Sequence, residues 1–188
     1  MTTARLIVVG GGVRCGKSAF ALELARGLGA RRAFIATAQA FDAEMRERIA
    51  RHVAERGREF ETHEAPLDLS GTLARLQSDV VVIDCLTLWL SNQLLKSPQP
   101  STPELEHAID GLLDVLARRT SHVIVVTNEV GMGVVPESAL GRQFRDLAGR
   151  AHQRLCARAD EIYLGVLGCM LRLRPEPIGL VSAGGRAE

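Results

Sequence analysis

Short apolar runs recur along the chain, separated by longer stretches in which apolar residues return every three or four positions. The runs Arg5–Gly10, Ala33–Thr37, Val80–Asp84, Val123–Thr127 and Glu161–Val166 are too short for helices and show little polar alternation. They therefore predict strands buried on both faces. Between them, Ser18–Leu28 sets Phe20, Leu24 and Leu28 four apart. Glu104–Arg119 puts Leu105, Ile109, Leu112, Leu113 and Leu116 on one helical face, and Thr102-Pro103 supplies a cap followed by a first-turn proline. A further helix is expected over Leu140–Arg158. Strands buried on both faces and spaced by helices predict an α/β fold, a mostly parallel central sheet between two layers of helix.

A different pattern covers Asp42–Arg56. Opposite charges lie four apart at Asp42/Arg46, Glu44/Arg48 and Glu47/Arg51, the spacing of a solvated helix, with Met45, Ile49 and Val53 as its apolar stripe. His52 borders that stripe rather than the charged face. Spacing alone favours a packed histidine there, although a neutral imidazole can also attack phosphorus.

At 188 residues the chain suits a single domain, assigned here to residues 1–174. Lys96–Thr102, with Ser97, Pro98, Pro100 and Ser101, reads as a surface loop. Residues 175–188 lack periodicity and are expected to be a flexible C-terminal tail. There is no internal repeat.

The chemistry begins where the first strand ends. Gly11-Gly12-Val13-Arg14-Cys15-Gly16-Lys17-Ser18 is G-x-x-x-x-G-K-S at a strand-to-helix junction, the setting of a phosphate-binding loop. Glycines let successive N–H groups turn toward phosphate oxygens, and the helix N-terminus adds its positive end. Lys17 would reach the β- and γ-phosphates, and the Ser18 hydroxyl would ligate Mg²⁺. Asp84, ending an apolar strand, is the acid expected near that Mg²⁺, directly or through water. Thr87 reads as structural. Thr127–Glu137 follows a strand and is punctuated by glycine, so it belongs to the ligand-facing edge of the sheet. Asn128 and Glu129 are candidate substrate contacts there, or anchors of the loop itself. The guanine-reading N-K-x-D element of switch GTPases is not matched, because Glu129 and Gly131 occupy its lysine and aspartate positions.

Composition changes the picture only by exclusion. The net charge of +1 argues against a nucleic-acid or anionic-membrane partner. No apolar stretch approaches the ~20 residues of a membrane span, since Cys85–Leu95 is broken by Ser91, Asn92 and Gln93. The beginning of the chain has no signal-peptide layout. The four cysteines, at 15, 85, 156 and 169, form no C-x-x-C pair and are expected to be reduced thiols of a cytoplasmic protein. Cys15 is read as a small filler of the phosphate loop, in preference to a reactive thiol.

Taken in order, several segments resemble the bifunctional adenosylcobinamide kinase/adenosylcobinamide-phosphate guanylyltransferase family of cobalamin biosynthesis. They are the phosphate loop, Phe34-Ile-Ala-Thr-Ala-Gln39, Asp42-Ala-Glu-Met-Arg-Glu-Arg-Ile-Ala-Arg-His52, Asp84-Cys-Leu-Thr87, Thr127-Asn-Glu-Val-Gly-Met-Gly-Val-Val-Pro-Glu137 and Phe144-Arg-Asp-Leu-Ala-Gly-Arg-Ala-His-Gln-Arg-Leu155. The resemblance spans about residues 5 to 173 and implies a P-loop NTPase-like three-layer fold. It also implies two reactions. ATP or GTP phosphorylates adenosylcobinamide; GTP then gives GMP to a histidine, from which the substrate phosphate takes it to form adenosylcobinamide-GDP. That histidine corresponds to His52. The nucleotide contacts correspond to Gly11–Ser18, to Thr37, Ala38 and Gln39, to Val53, Ala54, Glu55 and Arg56, and to Glu64 and Asp84. The corrinoid is the implied partner, and a homo-oligomer, a trimer, the implied assembly. Val53, Gly57 and Asp84 depart from the residues common in relatives. The alternatives are a kinase of another small alcohol with His52 merely packed, and a nucleotide-gated binding module, which the missing guanine-reading element disfavours.

Overall fold

Eight strands hydrogen-bond into one sheet in the order β3-β2-β4-β5-β1-β6-β7-β8. In chain order these are β1 (Leu6–Gly11), β2 (Arg32–Ala36), β3 (Glu61–Glu64), β4 (Val80–Asp84), β5 (His122–Val126), β6 (Glu161–Val166), β7 (Cys169–Arg174) and β8 (Gly179–Val181). The helices are α1 (Lys17–Leu28), α2 (Ala43–Arg56), α3 (Leu69–Arg75), α4 (Leu86–Leu95), α5 (Thr102–Ala117) and α6 (Ala139–Cys156). This computed structural model describes residues 4–40, 43–97, 101–176 and 179–181, without the side chains of Glu44, Arg48, Arg51, Glu55 and 179–181.

The six strands from β3 to β6 in that order run parallel, and only β7 and β8 are antiparallel. Alternate residues of the central strands feed two separate cores, as strands buried on both faces must. Leu6, Val8, Val81, Ile83, Val123 and Val125 pack against α3–α6. Ile7, Val9, Val80, Val82, Ile124 and Val126 pack on the other face, where Phe20, Ala21, Leu22 and Ala25 of α1 cover them. Each such side chain contributes roughly 1.5–3 kcal/mol on burial. The predicted three-layer α/β architecture is the one observed.

Boundaries moved where side chains cap a helix. Ser101, not Thr102, caps α5, its hydroxyl accepting the Glu104 N–H at 3.4 Å, so the helix starts two residues before the expected Glu104. Ser138 caps α6 in the same way, accepting from Gly141 N–H at 3.1 Å. The apolar Cys85–Leu95 stretch contains a buried helix, α4, and the polar residues that interrupt it are its anchors. Asn92 Nδ2 donates to Thr37 O at 2.8 Å and Pro66 O at 3.0 Å, and Gln93 Nε2 to Leu67 O at 2.8 Å. Among the described residues no helix is long and apolar enough to cross a membrane.

Within the segment expected to be a flexible tail, residues 179–181 form a strand, because β6 turns back at Leu167-Gly168 into β7, whose free edge then pairs with them as β8. That pairing is long-range and leaves no periodic signal in three residues. Residues 98–100 of the expected surface loop, and residues 177, 178 and 182–188, lie outside the described residues. So do Asp42 and a side chain in each of the other two charge pairs expected on α2.

Candidate active site

The phosphate loop forms because β1 ends in glycine at the carboxyl edge of the sheet, beside β6 and β5. Gly11 has φ 149°, and a Cβ there would stand 2.6 Å from Gly165 O and 2.7 Å from Cys15 Sγ. Gly16 begins α1 at φ 91°, and Arg14 adopts φ 56°, a left-handed conformation costing a non-glycine residue about 1 kcal/mol. Lys17 is buried, and its Nζ curls back to donate to Gly12 O at 2.8 Å. Cys15 points inward: its sulfur is buried against Gly165, in line with the filler reading.

A cleft opens from Lys17 and Ser18 across the ends of β2, β4 and β3 to the inner face of α2. Its walls include Ala36, Ala38, Asp84 and Asn128 on the sheet side, Thr62 and Glu64 from β3, and Met45, Ile49, His52, Val53 and Arg56 from α2. The apolar stripe of α2 thus faces this cleft, and His52 lines it together with the phosphate-loop lysine. Arg56, one turn beyond His52, is buried with its guanidinium 3.9 Å above the centre of the Phe34 ring, and Nη2 reaches Thr62 Oγ1 at 3.4 Å. Burial lowers the Arg56 pKa, and the negative charge of Asp84 opposes that shift.

Of the nucleotide contacts implied by the resemblance, Lys17, Ser18, Ala38, Val53, Arg56, Glu64 and Asp84 converge on the cleft with His52. Thr37 is fully buried beside it and holds two strand ends together. Its hydroxyl donates to Cys85 O and accepts from Cys85 N–H, both at 2.8 Å. Gln39 and Ala54 are not among the residues lining the cleft, and the Glu55 side chain lies outside the described residues. Phe34 and Thr62 were not singled out from the sequence. An aromatic ring in an apolar strand and a threonine in a polar one carry no local mark of a site.

The structure also explains Thr87 and the segment after β5. The Thr87 hydroxyl, buried, accepts from Asn128 N–H at 3.3 Å and from Asn128 Nδ2 at 3.2 Å, fixing Asn128 in the cleft wall. Asn128 Oδ1 is buried without a hydrogen-bond partner among the described residues. Burial pushes the neighbouring Cys85 thiol up to about 11, so it stays a protonated, inert group. Beyond Asn128, Glu129 faces His152 of α6, which sequence reasoning passed over. It lies in the Phe144–Leu155 segment of the resemblance and is a polar residue on the apolar α6 face formed by Ala148, Ala151 and Leu155.

A mostly parallel sheet with a phosphate loop after its first strand and an acid at the end of β4, one strand removed from β1, defines a P-loop nucleotide-binding protein. Solved structures agree at the level of fold. The RadB recombinase superposes with a TM-score of 0.53 at 18% identity, covering 95% of this chain and 86% of that one. A DnaB-like replicative helicase also gives 0.53, at 13% identity, covering 94% and 54%. Sequence comparison goes further, because residues 7–173 match CobU, the cobinamide kinase / cobinamide phosphate guanyltransferase family. The chain is 41% identical over 172 residues to the bifunctional adenosylcobalamin biosynthesis protein CobP of Pseudomonas aeruginosa, spanning 89% of this chain and 96% of that protein. It is 39% identical over 181 residues to the bifunctional adenosylcobalamin biosynthesis protein CobU of Salmonella typhimurium, spanning 90% and 99%. The chain belongs to the cobinamide kinase / cobinamide phosphate guanyltransferase family.

Proposed function

We propose that this chain catalyses both reactions of its family at the one cleft, with His52 as the residue that accepts GMP. The observation that carries this reading is that His52 lines the same cleft as Lys17, Ser18 and Asp84. In the first reaction the γ-phosphate of ATP or GTP passes to the alcohol of adenosylcobinamide. In the second, a ring nitrogen of His52 attacks the α-phosphorus of GTP, the P–N bond forms, and the bond to the β-phosphate oxygen breaks with loss of pyrophosphate. An oxygen of adenosylcobinamide phosphate then attacks the same phosphorus and the P–N bond breaks, returning His52. Dividing one displacement into two lets two large substrates use one site in turn.

Charge develops on the polyphosphate in both reactions, and in this reading the phosphate-loop N–H groups and Lys17 meet it. The Ser18 hydroxyl and Asp84 carboxylate are hard oxygen donors on the same cleft, the type Mg²⁺ takes when phosphates complete its shell. Such an ion would neutralise the leaving oxygens. Arg56 supplies a buried cation on the α2 side of the cleft, one helical turn beyond His52.

The test is to incubate the protein with α-labelled GTP and Mg²⁺, denature it, and look for retained label. We expect acid-labile, base-stable label that is lost in His52→Ala, while phosphorylation of adenosylcobinamide persists. An active wild type that retains no label defeats the mechanism and leaves a kinase alone.

A further inference from the structure

We propose that Glu129 is the catalytic base of the phosphoryl-transfer reaction, taking the proton of the acceptor alcohol, and that His152 is its positioning residue. This rests on the reading above that the chain phosphorylates an alcohol.

Topology places the carboxylate. β5 lies between β4 and β1, with Val126 paired to Asp84 on one side and to Val9 on the other. The chain leaving Val126 therefore emerges between the acid of β4 and the start of the phosphate loop. Asn128 lines the cleft beside Lys17 and Ser18, and the Glu129 N–H donates to Gly11 O at 3.0 Å. Glu64 also lines the cleft, from the edge strand β3, two strands beyond β4. Asp84 is the acid expected at the metal; Glu129 is not itself among the residues lining the cleft, but it follows Asn128, which is, and its backbone is tied to the first residue of the phosphate loop.

The group is also held. One carboxylate oxygen accepts the Gly131 N–H at 2.6 Å, and the other lies 3.8 Å from His152 Nδ1. His152 Nε2 is fixed in turn by Thr127 Oγ1 at 2.7 Å. The Glu129 side chain is 30% exposed against 14% for His152, so the carboxylate is accessible and its support is not. Burial lowers the His152 pKa and the Glu129 charge opposes that shift, so the ring stands beside the carboxylate as a side chain whose charged form is disfavoured. Among the described residues no lysine or arginine pairs with Glu129.

The step balances without a further reactant. The alcohol oxygen attacks the γ-phosphorus and the new P–O bond forms. The hydroxyl proton passes to the Glu129 carboxylate. The bond from the γ-phosphorus to its bridging oxygen breaks, and the nucleoside diphosphate leaves with that electron pair.

The test uses the full chain with ATP, Mg²⁺ and adenosylcobinamide, and labelling by α-labelled GTP as the control for fold and nucleotide binding. In Glu129→Gln, kcat for phosphorylation falls ~10²–10⁴-fold. The acceptor KM and the protein label stay within about threefold of wild type, the signature of an interaction made in the transition state. His152→Asn lowers kcat by about tenfold with KM unchanged, and adds nothing to Glu129→Gln, because the two act as a unit. Gly131→Ala is a second probe. Its Cβ would stand 2.9 Å from Glu129 Oε1, so the carboxylate must swing away, and kcat falls by about tenfold. A Glu129→Gln protein that phosphorylates as fast as an active wild type overturns the assignment alone, as does one in which label and kcat fall together. A wild type that phosphorylates no acceptor overturns the reading beneath it, and the assignment with it.

Discussion

Helices α1 and α2 both contribute to the cleft, and they are built in opposite ways. α1 spends its apolar face on the core: Phe20, Ala21, Leu22 and Ala25 are buried against the sheet, and Lys17 emerges from a loop locked between β1 and β6. α2 spends its apolar face on the cleft itself. Met45 and Ile49 are half-buried, Val53 is 49% exposed, and of its described side chains only Arg56 is buried. A phosphate-binding loop has to present donors at fixed positions, so it sits on the rigid element. The role proposed for His52, taking up a nucleotide from one substrate and passing it to another, requires a side chain that faces the opening, and His52 lines the cleft on α2. The contrast predicts that damage to α1 is shared by both reactions and damage to α2 is not.

The largest effect should come from Lys17→Ala, which lowers both phosphorylation and guanylylation by ~10²–10³-fold, since each develops charge on the polyphosphate. Rates measured with separate assays for the two half-reactions check this, and a near-normal rate in either breaks the shared-site comparison.

Next in size, Gly165→Ala attacks the rigidity of the phosphate loop from behind. Its Cβ would stand 2.6 Å from Cys15 Sγ and 3.1 Å from Met170 Cε. We expect a loss of about 1–3 kcal/mol in urea unfolding from overpacking. Combining it with Cys15→Ala should recover part of that loss, because the two side chains contend for one space. Equal stability of wild type and Gly165→Ala would mean that the loop is not braced there.

Arg56→Leu tests the α2 side. Removing a cation from the wall that His52 shares should slow protein labelling by about tenfold, with phosphorylation changed by less than about threefold. Equal losses in the two assays would put Arg56 with Lys17 and erase the contrast.

Much of this was legible in one dimension. The alternating β and α segments, the G-x-x-x-x-G-K-S loop and Asp84 at a strand end are local patterns, and each local choice agrees with the fold. His52 was legible only in part. Helical spacing favoured a packed histidine, and it was the longer Glu-Met-x-x-Arg-Ile-x-x-His pattern that pointed to the site. The stripe of Met45, Ile49 and Val53 shows why, since periodicity reports an apolar face and not whether core or cleft lies against it. Thr37 shows the converse. A threonine at a strand end looks available for ligand, yet its hydroxyl is occupied by the Cys85 backbone, forty-eight residues away.

By itself, then, the sequence determined the three-layer scaffold, the phosphate loop and the family, because hydrophobic period, glycine placement and motif spacing are properties of neighbouring residues. Tertiary structure alone decided which polar groups share a space. It brought Arg56 over Phe34, turned residues 179–181 into an edge strand, and set Glu129 against His152 with its backbone tied to Gly11. These meetings depend on strand order and on which helix crosses which strand end. Strand order is set by contacts between segments tens to more than a hundred residues apart, and no local pattern encodes it.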